Sequence, residues 1–211
     1  MSEMTPDVIE NFKIKAGLVG AVVTEQPSLA AAVQYVVDVC ANKSPCEILA
    51  DEPEAAVGPE KGPNGMPTRA KRIIAAPEID KALFADLAAK AEAQGFACLS
   101  EGLRKHLAGI DVGLSFAICG VAASGTCLVA GTQEDTRLAG MIAEINVIVL
   151  KKSTIYPDLP SVCGILRDLQ KDAAVNYSTF ITGPSRTADI ERVPATGVHG
   201  PLELHIILLE D

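Results

Sequence analysis

The sequence predicts an α/β protein with a mainly parallel, open central sheet and helices on both of its faces. Three observations predict it. Strand-like and helix-like segments alternate through most of the 211 residues. Hydrophobic residues make up 48% of the chain and aromatic residues 4%, with no tryptophan, so Ala, Val, Ile and Leu must do the packing. That aliphatic bias suits parallel strands buried under helices. The length fits one domain, read as an N-terminal helical segment over residues 1–20 and one α/β domain over residues 21–211.

The elements follow in order. Residues 4–17 predict a first helix, with Thr5 as N-cap and Pro6 in its first turn. Residues 21–24 read as a strand, and residues 27–40 as a helix with Leu29, Val33, Val36, Val37 and Cys40 at helical spacing. A second strand over 47–50 would complete a β-α-β unit with a parallel pair. Residues 51–68 carry four prolines and three glycines and read as a loop or lid. A strand over 72–75, a helix over 77–94 closed by Gly95, and a strand over 96–99 come next. Ser100 then caps a short helix. Residues 111–130 are small: a strand at 112–114, a tight helix or turn at 117–123, and a turn at 124–126 into a strand at 127–129. A loop and short helix with Arg137, a buried strand at 146–150 and a helix ending near Lys171 complete the scaffold.

Charge and motifs narrow the function. A net charge of -9 argues against a nucleic-acid surface, which needs a concentrated basic face. No run approaches ~20 apolar residues, so no membrane span is expected. The acidic, polar start is wrong for a secretory signal, and the cytoplasm is the expected compartment. Six cysteines occur without a C-x-x-C pair and read as buried reduced thiols, so no metal site is expected. Neither G-x-G-x-x-G nor a Walker lysine motif is present.

The densest run of reactive residue types is 182–211, between strand-like segments at 179–182 and 204–209. In an open α/β sheet, ligands bind past the carboxyl ends of strands, where the strand ending at Thr182 would deliver Gly183, Ser185, Arg186 and Thr187. Ser185 can cap a turn whose N–H groups face an anion, and Arg186 offers a bidentate fork for carboxylate or phosphate. Asp189 can orient Arg186 or act as a base; alternatively Arg186, Asp189 and Glu191 form a structural ion network. His199, between Gly197 and Gly200, can move a proton near neutral pH or anchor backbone carbonyls. His205, inside an apolar strand, reads as a satisfied buried histidine.

The run ITGPSRTADIERVPATGVHGPLELHIILL resembles the C-terminal signature of the LUD-domain family, the lactate-utilisation protein C group: TGPS, Arg or Lys, TADIE, then GVHGP-x-E-LHVIL. Weaker similarity covers residues 122–126 and the strand 146–150. The resemblance implies a NagB/RpiA/CoA transferase-like fold and a role in oxidising L-lactate to pyruvate alongside separate iron–sulfur subunits. It implies no cofactor in this chain itself. Site residues carried over are Gly183, Pro184, Ser185, Arg186, Thr187, Asp189, Glu191, Gly197, His199, Gly200, Pro201 and Glu203. Ser124, Gly125 and Thr126 join the expected ligand-binding set, and His199 and Asp189 are the expected catalytic pair. Where the family often has Glu-Thr-Gly-Thr, this chain has Ala123-Ser124-Gly125-Thr126, which disfavours a covalent CoA-transferase mechanism. The rival readings are a stand-alone isomerase- or transferase-like enzyme on a phosphorylated sugar or CoA thioester, and a noncatalytic module that docks an iron–sulfur partner.

Overall fold

A computed structural model describes residues 6–48, 56–171, 177–187, 195–196 and 200–210. The chain runs α1 (Pro6–Leu18), β1 (Val22–Gln26), α2 (Leu29–Asn42), β2 (Val57–Lys61), β3 (Pro67–Arg69), β4 (Ile73–Ala75), α3 (Lys81–Ala93) and β5 (Ala97–Leu99). It continues through β6 (Ile110–Phe116), β7 (Cys119–Val121), β8 (Thr126–Gly131), α4 (Glu134–Ile142), β9 (Ala143–Lys151), β10 (Ile155–Tyr156), α5 (Cys163–Leu169) and β11 (Tyr177–Ile181). β12 (Arg186–Thr187), β13 (Ala195–Thr196) and β14 (Glu203–Leu209) follow.

The central sheet has six strands in the order β1-β14-β9-β6-β4-β5, and every pairing in it is parallel. The expected α/β architecture is therefore present. One face of the sheet is covered by α2 and α3: Val33, Val36 and Val37, with Leu87 and Ala91, pack on Val112, Val147 and Ile207. On the other face, α1 inserts Phe12 and Ala16 among Ile148, Leu150 and Ile206. α4 covers Ile73, Ala75 and Ile110 on the same side through Ala139. Because β9 and β14 are covered on both faces, their sequences are nearly continuous apolar runs.

Local chemistry sets the boundaries. Ser28 caps α2 by accepting from the Ala31 N–H at 3.2 Å. Asp80, rather than the stretch at Pro77, caps α3, accepting from Ala82 and Leu83 at 2.8 and 3.2 Å. The predicted helix therefore begins four residues later than its spacing suggested. The expected cap at Ser100 is replaced: Asp135 of α4 accepts from the N–H groups of Gly102 and Leu103, ahead of a 3-10 turn at Leu103–His106.

Three expectations change. The strand over 47–50 does not pair with β1: Glu47 makes one isolated antiparallel bridge with Thr68, and residues 49–50 lie outside the described set. β1 pairs with β14 instead, Val22 opposite His205. The described part of the 51–68 loop is an antiparallel hairpin, β2–β3, whose turn is fixed by Asn64 donating to Glu47. The expected helix or turn at 117–123 is strand β7, part of a second sheet of order β10-β7-β8-β11 stacked on the α1 face of the parallel sheet. Its small residues have a packing reason: a Cβ on Gly120 would lie 3.0 Å from the Phe12 ring.

Candidate functional site

The run 182–211 begins where β11 leaves the second sheet. β11 pairs antiparallel with β8, so it does not deliver its loop to the carboxyl ends of the parallel strands. The loop instead crosses their amino ends. A Cβ on Gly183 (φ +74°) would lie 2.5 Å from the Val19 carbonyl, just ahead of β1, so glycine is required there. The Ser185 N–H donates to the Pro201 carbonyl at 2.9 Å, and the Leu202 N–H to Glu144 at 2.7 Å. Arg186 is exposed and reaches across Gly20. Residues 186–187 are extended and pair with 195–196, so Ser185 does not cap a helical turn. Asp189, Glu191, Gly197 and His199 lie outside the described residues.

The turn expected to join the site does approach it. Ser124 Oγ lies 2.7 Å from Thr126 Oγ1, which lies 2.7 Å from Thr182 Oγ1 at the entry to the signature loop. Gly125 serves packing: at φ +66°, its Cβ would fall 2.2 Å from the Ala16 backbone nitrogen. Ala123 is exposed in the same turn, and its N–H donates to the Pro157 carbonyl.

A pocket of about 140 Å³ opens between the two sheets, beside the loop. The parallel sheet contributes Ser115, Asn146 and Leu204, and the second sheet contributes Val129, Gly131, Tyr177, Thr179 and Ile181. Cross-strand pairing brings Tyr177 opposite Gly131 and Thr179 opposite Val129. α4 closes one side with Thr136, Arg137, Gly140 and Met141, while Gly183 and Pro201 bring the signature loop into the wall.

Most of the lining is apolar, which makes its polar atoms informative. Asn146 is 1% exposed and Ser115 4% exposed. Among the described residues, neither Asn146 Oδ1 nor Ser115 Oγ has a hydrogen-bond partner. An orphaned buried group of this kind costs about 1–3 kcal/mol. Ser115 sits opposite Ile148 and Asn146 opposite Gly113, so the two are diagonal neighbours on adjacent strands. Arg137 stacks its guanidinium 3.8 Å from the Tyr177 ring centroid and makes no hydrogen bond or salt bridge among the described residues. At the rim, Glu78 holds φ 52° and accepts hydrogen bonds from Thr132 and Thr136. Burial raises its pKa, but those hydroxyls and the backbone N–H groups outweigh it and hold the carboxyl below its ordinary value. His205 is satisfied: Tyr35 Oη lies 2.8 Å from Nδ1, and Glu203 lies 2.9 Å from Nε2. Among the described residues, no three His, Cys, Asp or Glu side chains converge as a metal site.

Sequence reasoning did not single out Ser115, Asn146 or Tyr177. A signal existed: a lone Asn inside the buried run Ile145-Asn146-Val147-Ile148, and a lone Ser in Leu114-Ser115-Phe116, are polar interruptions of apolar strands.

Fold and site together define an α/β protein with a ligand-sized pocket between a parallel sheet and an antiparallel companion. The chain belongs to the LUD domain family, whose model matches residues 9–209. It is similar to "Lactate utilization protein C" of Anoxybacillus flavithermus, 32% identical over 101 residues covering 48% of this chain and 44% of the relative. A Bacillus subtilis protein of the same name is 31% identical, covering 48% and 43%. Escherichia coli "Uncharacterized protein YkgG" is 33% identical, covering 47% and 44%. The matched region thus spans less than half the length of these relatives. A crystal structure of a DUF162 family protein from Deinococcus radiodurans shares the fold, with a TM-score of 0.58, 14% identity and 96% of both chains covered. Among the described residues, no helix is long and apolar enough to cross a membrane.

Proposed function

We propose that the chain is a cytoplasmic subunit or accessory factor of an L-lactate to pyruvate oxidation system that works with separate iron–sulfur subunits. The observation that carries this reading is membership of the LUD family over residues 9–209, with relatives named for lactate utilisation. Oxidation of lactate breaks one C–H and one O–H bond, forms the keto group, and releases two protons and two electrons. Iron–sulfur clusters in the partner subunits receive the electrons, and this chain binds the carboxylate and handles protons. His199 and Asp189 are the proposed proton-handling pair. Arg186, exposed beside Gly20, attracts the anion toward the loop; at that exposure its contact is worth about 1 kcal/mol or less.

The test is a pull-down from the native host followed by lactate-dependent dye reduction, with and without this chain. Copurification of an iron–sulfur protein, and dye reduction that falls when the chain is omitted, are expected. An unchanged rate with no iron–sulfur partner refutes the role.

A further inference from the structure

Among the described residues, β1 is paired on one side only, with β14. An edge strand offers a row of open N–H and C=O groups. Proteins blunt such edges with short strands, lysine, proline, bulges or a covering element. The opposite edge of the parallel sheet is blunted by length, since β5 has three residues. β1 has five, Val22-Val23-Thr24-Glu25-Gln26, in unbroken register with β14, and none of them is proline, glycine or lysine. Its one charge is already matched: Glu25 lies 2.8 Å from Lys13 and 2.7 Å from Lys152.

The side chains along this edge favour a second copy of the chain over a foreign strand. Successive residues of a strand point to opposite faces. Val23 packs with Phe12 and Glu25 meets Lys13, so these two face α1. Val22, Thr24 and Gln26 face the α2 side, where Val22 lies beside His205 and the Tyr35 that contacts it. Val22 is 47% exposed, and Leu29, the first residue of α2, is 44% exposed. These apolar side chains stand at opposite ends of β1 on one face of the sheet. An antiparallel copy of β1 sets the beginning of one strand beside the end of the other and keeps each face on its own side. Both Val22 side chains then turn toward the Leu29 end of the other copy, a use that a foreign strand would not make of them. A net charge of -9 opposes self-association over most of the surface, whereas this edge presents a carboxylate that is already matched.

We infer that two copies of the chain associate through β1, antiparallel and about a two-fold axis at Thr24, joining two six-stranded sheets into one. This register pairs all five residues of the strand. Thr24 faces its own copy, Val22 faces Gln26, and Val23 faces Glu25. The inference is independent of the lactate reading, because it uses none of the residues proposed to bind that substrate or move its protons.

Light scattering of the full chain behind size exclusion, at micromolar concentration, is expected to give twice the mass of one chain. Val22→Lys adds the charge that natural edges use against pairing and is expected to weaken association at least about tenfold. Val22 is half exposed, so lysine fits there and the far-ultraviolet circular dichroism stays that of the parent. Phe180→Lys, on the edge strand β11 of the second sheet, stays dimeric. Cysteine substitution tests the register in a Cys163→Ser background, which removes the exposed thiol. Under oxidised glutathione, Thr24→Cys is expected to give a disulfide-linked dimer, since directly opposed residues hold their Cα atoms about 4.5–5.5 Å apart, within disulfide reach. Gln26→Cys faces Val22 rather than itself and stays unlinked. A single-chain mass overturns the inference, as does an assembly larger than a dimer or a dimer that survives Val22→Lys. Loss of the dimer through Phe180→Lys, or cross-linking through Gln26→Cys and not Thr24→Cys, overturns it too.

Discussion

Replacing Asp111 by alanine should cost about 3–5 kcal/mol of stability, and the structure shows where the loss arises. Asp111 is fully buried near the start of β6. Its Oδ1 accepts from the Cys46 N–H at 2.9 Å and from Lys43 Nζ at 2.7 Å, and its Oδ2 accepts from the Ile73 N–H at 2.8 Å. Removing the carboxylate orphans two backbone N–H groups, each worth about 1–3 kcal/mol. It also strips a partner from Lys43, whose side chain is 11% exposed, although Glu144 at 2.9 Å remains. For a chain of this size, each kcal/mol moves the melting temperature by about 2–4 °C, so a fall of roughly 10 °C is expected. Asp111→Asn keeps one acceptor and should lose about half as much. Urea denaturation of the three proteins is the assay. A loss below about 1 kcal/mol for Asp111→Ala, at unchanged m, refutes the reasoning.

Glu25 is held at a pKa of about 2 by hydrogen bonds from Lys13 and then Lys152, against an ordinary 4.5. A depressed carboxylate stabilises above its ordinary value, and that contribution disappears as pH falls from 4.5 toward 2. Glu25→Gln should therefore be less stable than the parent at pH 7, by under about 1 kcal/mol because the side chain is half exposed, and equal to it once the pH has fallen below the folded pKa of about 2. A gap that persists in acid contradicts this. Among the cysteines, only Cys163 is exposed, while burial pushes the thiols of Cys40, Cys46 and Cys98 up to about 12. A thiol-specific disulfide reagent at pH 8 should label one thiol quickly and the rest only on unfolding; fast labelling that survives Cys163→Ser counts against the assignment. Gly125→Ala forces a Cβ against the α1 backbone at positive φ and should lower stability by about 2–4 kcal/mol in a thermal melt, so a neutral result would show that α1 sits elsewhere.

Much of the scaffold was legible because it is written locally. The apolar runs at 146–150 and 204–209 are buried on both faces, as strands under two covering layers should be. Helical spacing located α2 through Val33, Val36, Val37 and Cys40, although Leu29, expected on the same stripe, is exposed. Strand partners were not legible. Residues 21–24 say that a strand exists, but nothing in them names β14 over residues 47–50 as its neighbour. β7 was missed because Cys119-Gly120-Val121 is too short and small-chained to show a period. That miss hid the second sheet, and with it the fact that β11 runs antiparallel and lays the signature loop at the amino ends of the parallel strands. Arg186, Ser185 and Gly183 were found by residue type. Ser115 and Asn146 become informative only when burial shows that their polar atoms have no partner.

The pairing of β1 with β14 has a consequence for how the molecule is made. β1 is an edge strand whose one neighbour in the sheet is β14. Beside that pairing, Tyr35 of α2 meets His205 of β14, 170 residues away in the chain. Closing a loop of that length costs about 4–5 kcal/mol of chain entropy beyond a constant. During synthesis, β1 and the edge of β9 that receives β14 both stand open until residues 203–209 have left the ribosome. The early strands wait as two bare templates, and the segment that carries the family signature is also the one that delivers the strand fitting between them.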